Sequence, residues 1–340
     1  MKSYLKNKTV FIAGGTGSFG KEFVKECLIN HNPKKIIIYS RDELKQYEMQ
    51  NEEYLQKYIK QNKIRFFIGD VRDKSRLDMA IRKTDVVVHA AALKQVPTAE
   101  YNPFETVKTN IIGSQNIIEV CLNNGVKRVI ALSTDKASSP VNLYGATKLT
   151  SDKLFISANN YKGNQDIKFS IVRYGNVLMS RGSVVPLFLK YKNKGWFPIT
   201  HREMTRFNIT LNEGVKFVID SFERMWGGEI FIPKIPSYSI LSIAKAINPK
   251  NKLKFIGIRG GEKLHEEMIS KSDSMNAYEF KNYYVILPSK EYLSWSIKKF
   301  LQTFSNDKVK KCNENFSYNS FDNKPYLTVK KLKDLIFNKK

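Results

Sequence analysis

Short, wholly apolar runs alternate with longer amphipathic stretches through the first 132 residues, and this alternation restricts the fold more than any other feature. The runs KTVFIAG (8–14), KIIIYS (35–40), IRFFIGD (64–70), DVVVHAA (85–91) and RVIALS (128–133) are rich in Val and Ile and apolar throughout. Strands buried on both faces of a parallel sheet read this way. Between them, segments such as SFGKEFVKECLINH and PFETVKTNIIGSQNIIEVCLNNG space apolar residues by three and four and close near Asn or Gly, as helices do. The expected fold is α/β, a doubly wound parallel sheet of the Rossmann-like kind. A further strand is expected in KFSIVRYGNV (168–177), and from about residue 180 Pro186, Pro198, Pro233, Pro236 and Pro249 punctuate shorter elements. Residues 1–180 are therefore expected to form a dinucleotide-binding domain that also carries the catalytic residues. Residues 181–340 are expected to be mainly substrate-binding and interleaved with it.

The formal charge of +25 comes from 57 Lys and Arg against 32 Asp and Glu. These cations are scattered through nearly every segment, with only a modest cluster at Lys330, Lys331 and Lys333. A nucleic-acid or membrane surface would need a stripe or a tail, so neither partner is expected, whereas an anionic cofactor and substrate would be steered in. No apolar run reaches the roughly 18 residues of a membrane span. The start, MKSYLKNKTVFIAGG, passes from polar residues straight into a strand, so a soluble, cytoplasmic protein is expected. Cys27, Cys121 and Cys312 are far apart and lack metal-ligand spacing, which predicts packing or surface residues and no metal.

The first strand opens into Gly14-Gly15-Thr16-Gly17-Ser18-Phe19-Gly20, a G-x-x-G-x-x-G spacing ahead of an amphipathic helix. Glycines here let the backbone approach a pyrophosphate, which then sits on the helix N-terminus. The second strand ends in Ser40, Arg41 and, shortly after, Lys45, donors suited to a ribose 2′-phosphate, so NADP is expected over NAD. Asp70-Val71 follows the third strand, where Asp70 either meets the adenine edge or caps the next helix. His89, ending the fourth strand, reads as packing near the cofactor ahead of any proton-transfer role.

The segment STDKASSPVNLYGATK (133–148) is the unusual one. Tyr144 and Lys148 are four apart and share a helix face. A nearby ammonium and an oxidised nicotinamide favour the phenolate, making Tyr144 a hydride-transfer base. Hydride transfer leaves Thr134-Asp135-Lys136 unexplained. Oxidation of a sugar hydroxyl to a ketone makes the neighbouring C–H acidic; a base can remove it, an acid can expel the next hydroxyl as water, and the hydride can return to the alkene terminus. That sequence uses a phenolate, a carbon base and an acid. The alternative is that Asp135 caps the loop and Lys136 is solvated. An epimerase would share the cofactor loop, Tyr144 and Lys148 without using the acid and amine, and a non-catalytic NADP-binding protein would use neither.

The blocks GGTGSFGK, IIIYSRDELKQ, FIGDVRDK, HAAALKQVPTAEYNP, LSTDKA, PVNLYGATK, RYGNV, SRGSVVP, MTRFNIT, GGEIFIPKIP, IGIRGGEKLHEEMIS and YEFKNYYVI resemble the inverting UDP-N-acetylglucosamine 4,6-dehydratases of bacterial pseudaminic acid synthesis, within the extended short-chain dehydrogenase/reductase superfamily. The family carries Asp-Lys after the threonine where retaining dehydratases carry Asp-Glu, and Tyr144 resembles its flagellin-sugar branch where capsule and O-antigen relatives have Met. The resemblance implies Lys136 as C5 base, Asp135 as acid for the C6 hydroxyl, Thr134 and Tyr144 at the C4 hydroxyl, and Lys148 on the ribose and Tyr144. It further implies Ala90, Lys94 and Val177 beside the cofactor, Lys94 and Asn176 beside the sugar, Arg206, Arg259 and Glu262 at the UDP portion, and a homo-oligomer, hexamer or dimer. Residues 288–315 do not match the family's blocks, and RGG stands where an R-x-G with Ala or Pro is commoner.

Overall fold

In the computed structural model, which describes residues 3–180 and 182–337, the apolar runs form β1 (Thr9–Ala13), β2 (Lys35–Ser40), β3 (Ile64–Ile68), β4 (Val86–His89), β5 (Arg128–Thr134) and β6 (Lys168–Tyr174). They pair in parallel in the order β3-β2-β1-β4-β5-β6. Every residue of β1 and β4 is buried, because helices cover both faces. The chain leaves β1 toward β2 on one side and returns to β4 on the other, which opens a crevice at the carboxyl ends of these two strands.

The amphipathic stretches are helical, with local widening that period-3.6 reading does not register. Residues 103–123 are three consecutive pieces, Pro103–Val107, Lys108–Ile112 and Gly113–Asn123, the middle one a π-turn. The helix Ser18–Glu26 likewise passes into a π-turn, Cys27–His31, and stops at Asn32 with φ of 43°. Asn tolerates this left-handed conformation, which ends a helix.

Beyond residue 180 come β7 (Trp196–Ile199), β8 (Thr205–Phe207), β9 (Ile230–Pro233), β10 (Ser237–Ser239), β11 (Lys252–Phe255), β12 (Glu267–Ile269), β13 (Ala277–Glu279), β14 (Tyr283–Ile286), β15 (Lys310–Lys311) and β16 (Tyr318–Asn319). Strand β9 lies parallel beside β6, and β14, β13 and β15 continue antiparallel, giving a sheet of ten strands. The other strands pair as β7 with β11, β8 with β10 and β12 with β16, over the carboxyl edge of the sheet. Around them Phe188, Phe197, Ile199, Met204, Ile243 and Leu332 form a second core, separate from the main one. The unmatched stretch 288–315 supplies β15 and the helix Ile297–Thr303. Phe300 of that helix is buried against Trp295 and Trp226, with ring centroids at 5.2 and 5.7 Å. Burial of that ring contributes about 1.5–3 kcal/mol. Among the described residues no helix is long and apolar enough to cross a membrane.

Candidate active site

A cavity of about 1030 Å³ runs from the loop after β1, past the ends of β4, β5 and β6, to the segments between β7 and β12. At its first end Gly14 has φ of 81°, and a Cβ there would stand 2.9 Å from the Ala90 carbonyl, so only glycine fits. Gly17 caps the helix Ser18–Glu26 without any side-chain bond to the first-turn amides. Those N–H groups are left for an anion, and Thr16, Gly17, Ser18, Phe19 and Gly20 line the cavity beside them. The cradle fits a dinucleotide pyrophosphate.

Ser40, Arg41 and Lys45 line the rim, each already engaged: Arg41 lies 3.7 Å from Asp70, Lys45 pairs with Asp42, and Ser40 Oγ accepts from Gln46 at 3.1 Å. Asp70 does not cap the next helix; Asp73 does, accepting from Arg76 N at 2.9 Å. Burial pushes the Asp70 carboxyl up, but hydrogen bonds from Arg72 outweigh it and hold the group below its usual range. Val71, Ala90, Lys94 and Val177 also line the cavity. His89 is buried, its Nε2 3.2 Å from Ser114 Oγ. Burial, then Lys148, lowers its pKa to about 3, so the imidazole is neutral and packed.

At the end of β5 the chain turns through Asp135–Ala137, and Thr134 caps that turn by accepting from Lys136 N at 3.3 Å. Thr134 Oγ1 donates to Asp135 Oδ1 at 2.9 Å. Asp135 is 1% exposed, and Lys136 Nζ donates to its Oδ1 at 3.1 Å. The reading in which Asp135 caps the loop and Lys136 is solvated therefore fails. Asn142 caps the helix Leu143–Ser157 by accepting from Gly145 N at 2.7 Å, and the helix turns Tyr144 and Lys148 inward. A Cβ on Gly145 would lie 2.2 Å from the Lys136 carbonyl oxygen, so the glycine lets the helix press on the Asp135–Lys136 turn.

The electrostatics differ from expectation at Tyr144. Burial pushes its phenol up to about 12, and the groups pulling it back are Lys136 and the Thr134 hydroxyl rather than Lys148. Lys148 is lowered by burial. For Lys136, burial favours the neutral amine, but Asp135 and a second carboxylate, Glu266, outweigh it and the ammonium wins. Burial and the neighbouring Glu266 raise Asp135.

Glu266 is the site residue that sequence reasoning missed. It lies just before β12, 2% exposed, with Oε1 3.0 Å from Lys136 Nζ and 3.5 Å from Arg206 Nε. It stands within the block IGIRGGEKLHEEMIS, but nothing in its spacing marks it apart from Glu267 next to it. Arg206 is buried and held by the carbonyls of Thr205 (2.6 Å) and Leu264 (3.1 Å). Arg259 sits on an exposed loop paired with Glu262 at 3.2 Å, and Lys94 is exposed on the loop after β4. Among the buried side-chain atoms without a partner in the described residues, the acceptors Asp135 Oδ2, Asn176 Oδ1, Glu262 Oε2 and Glu266 Oε2 belong to residues lining the cavity. Buried polar atoms want partners, and these acceptors suit a ligand rich in hydroxyl donors.

A glycine cradle at the switch point of a doubly wound sheet, with an inward Tyr-x-x-x-Lys helix at the next crevice wall, defines an extended short-chain dehydrogenase/reductase. Within that class the chain belongs to the polysaccharide biosynthesis protein family, whose model matches residues 10–288. It is 56% identical over 97% of its length to the UDP-N-acetylglucosamine 4,6-dehydratase (inverting) of Campylobacter jejuni, of which it covers 97%. It is 42% identical to the UDP-glucose 4-epimerase of Rickettsia akari over 82% of this chain and 83% of that one. Among solved structures, Pen from Bacillus thuringiensis superposes with a TM-score of 0.86 at 35% identity, covering 98% of both chains.

Proposed function

We propose that this chain is an inverting UDP-N-acetylglucosamine 4,6-dehydratase, a lyase forming UDP-2-acetamido-2,6-dideoxy-β-L-arabino-hexos-4-ulose. The observation that carries this reading is the buried acid–amine contact, Asp135 Oδ1 to Lys136 Nζ at 3.1 Å, joined to Thr134 beside the Tyr144 helix. The similarity to the Campylobacter dehydratase across nearly the whole chain supports it. Residues 1–180 would hold NADP and the catalytic groups, and residues 181–340 mainly the UDP-sugar. Gly14 to Gly20 would take the pyrophosphate, Ser40, Arg41 and Lys45 the 2′-phosphate, Lys148 the ribose, and Ala90, Lys94 and Val177 the nicotinamide end. When bound, the nicotinamide supplies hydride uptake from C4 and its return to C6. Thr134 and Tyr144 hold the C4 hydroxyl, and Tyr144 would take its proton as the phenolate that a bound oxidised nicotinamide favours. Lys136 then takes the C5 proton while Asp135 gives a proton to the departing C6 hydroxyl, so that water leaves across C5–C6; with C6 reduced, C5 takes a proton from water on the face opposite the one it lost, and Tyr144 releases the C4 hydroxyl proton to solvent. Arg206 and Arg259 face the diphosphate, where forked donors bind two oxygens at once. Lys94 and Asn176 meet the sugar. A soluble cytoplasmic homo-oligomer feeding pseudaminic acid and surface-glycan synthesis, including flagellin glycosylation, completes the reading.

A 4-epimerase is the second reading, favoured by the likeness to the Rickettsia enzyme. Incubation with UDP-N-acetylglucosamine without added NADP, followed by mass and NMR analysis, separates the two. A product lighter by one water is expected. A product of unchanged mass, epimeric at C4, would establish the epimerase, and no turnover of any UDP-sugar would leave only a cofactor-binding protein.

A further inference from the structure

We propose that Glu266 is a positioning residue for the elimination step: its buried carboxylate holds Lys136 against Asp135 and keeps within that pair the single proton the two groups exchange. The inference rests on the dehydratase reading and goes beyond it by naming the group that holds the acid and the base together so that they share one proton.

The geometry is specific. Lys136 Nζ lies between two carboxylates, 3.1 Å from Asp135 Oδ1 and 3.0 Å from Glu266 Oε1. The Glu266 backbone is fixed on both sides, its amide donating to Ser320 Oγ at 2.9 Å and its carbonyl accepting from Ser320 N at 2.8 Å, and its buried carboxylate is held by Lys136 and Arg206. Ser320 Oγ is 2.7 Å from Thr205 Oγ1, next to Arg206, so a segment distant in sequence ties the backbone of Glu266 to the strand that carries Arg206. The charged groups facing Lys136 are Asp135, Glu266 and Arg206, with Lys94 and Lys263 farther out and the neutral phenols Tyr144 and Tyr238 alongside. Two carboxylates against Lys136 and Arg206 balance in charge at the centre. The Glu266 carboxyl is pushed up by burial but held down more strongly by Lys136 and Arg206, so it stays ionised.

In the resting site Lys136 is therefore an ammonium and Asp135 a carboxylate. Passing one proton from Nζ to Oδ1 breaks an N–H bond and forms an O–H bond with no change in total charge. The same transfer creates the neutral amine that C5 requires and the carboxylic acid that the C6 hydroxyl requires. When the C5 proton has moved to Lys136 and the Asp135 proton has left with water, the pair is back in its resting form. Without the Glu266 charge the centre is left with an excess positive charge, the proton affinities of Lys136 and Asp135 both fall, and Lys136 loses the contact that seats its Nζ against Asp135, so the transfer loses its geometry.

The test is Glu266→Gln, which keeps the shape and removes the charge. Wild-type dehydration of UDP-N-acetylglucosamine is the control: if it does not occur, the dehydratase reading itself has failed. Given that control, the variant should still reduce its bound cofactor with substrate at a rate within about threefold of wild type, while water loss falls at least about tenfold. The pH profile of water loss should move about 1–3 units toward acid. Glu266→Asp, which retains the charge, should keep the wild-type pH profile at a lower rate. An equal loss in both steps with an unmoved profile would overturn the proposal, as would unimpaired dehydration. Should Glu266→Gln not fold, the wild-type protein answers by NMR of 13C-labelled lysine, the Lys136 signal being assigned by its absence in Lys136→Ala. Lys136 should remain an ammonium beyond the ordinary lysine midpoint of about 10.4, and a midpoint below that value overturns the proposal.

Discussion

Replacing Lys136 with Ala separates oxidation from elimination, and the structure fixes what each step should lose. The substitution removes an ammonium lying 3.1 Å from Asp135 and 3.0 Å from Glu266. Glu266 keeps Arg206 at 3.5 Å, whereas Asp135 keeps only the Thr134 hydroxyl, so Asp135 is the carboxyl that takes up a proton. The variant thus holds an acid for the C6 hydroxyl and no base for C5. Loss of a positioned proton-transfer group costs about 10²–10⁴ in rate, or about 2.7–5.5 kcal/mol of barrier. The C4 step suffers less: Lys136 is one of the groups drawing the Tyr144 phenol down from burial's upward push, and without it the phenol rises further. About a tenfold slowing of cofactor reduction is expected. Single-turnover measurement of reduced-nicotinamide absorbance, paired with NMR of the sugar, should show cofactor that is reduced and remains so. Dehydration within tenfold of the wild-type rate would refute the assignment of the base.

Arg41→Ala should weaken NADP about 10- to 150-fold more than NAD, the worth of a charge-assisted phosphate contact of about 1.5–3 kcal/mol, measured by titration of both cofactors; equal loss for both would remove the case for NADP. In deuterated water the product should carry one solvent deuteron at C5 and, from C4-labelled substrate, the label at C6, with L-arabino configuration; D-xylo configuration in freshly formed product would reject inversion. His89, lowered by burial to about 3, should make the fold acid-sensitive. The unfolded chain binds a proton below about 6.5 that the folded protein refuses, so stability present above that pH is lost toward pH 3 at about 1.4 kcal/mol per unit. Denaturant titrations at several pH values should show this slope in the wild type, and an equal slope in His89→Gln would contradict it.

Much of the site's scaffold was legible because its signals are local. Strands β1, β2, β4, β5 and β6 are near-continuous apolar runs since helices bury both their faces, and their limits fall within a few residues of the runs read from sequence. The glycine loop follows β1 directly, and Tyr144 and Lys148 share an inward face because a helix repeats every 3.6 residues. The return of β9, β14, β13 and β15 to the main sheet was not legible, because three- and four-residue strands carry too little pattern to name their partners. Nor was the engagement of Arg41 with Asp70, a pairing between loops after neighbouring strands.

The sequence by itself determined the doubly wound sheet, the place of the cofactor cradle and the acid–amine pair at the end of β5, since each depends on residues close together along the chain. Tertiary structure alone decided the state of that pair. It carries β12 across the Asp135–Ala137 turn and seats Glu266 3.0 Å from Lys136, joining positions 130 residues apart, as the two numbers give directly. The charge of a half-buried amine is set by the balance of burial against every carboxylate within a few ångströms, and only the folded chain fixes which carboxylates those are.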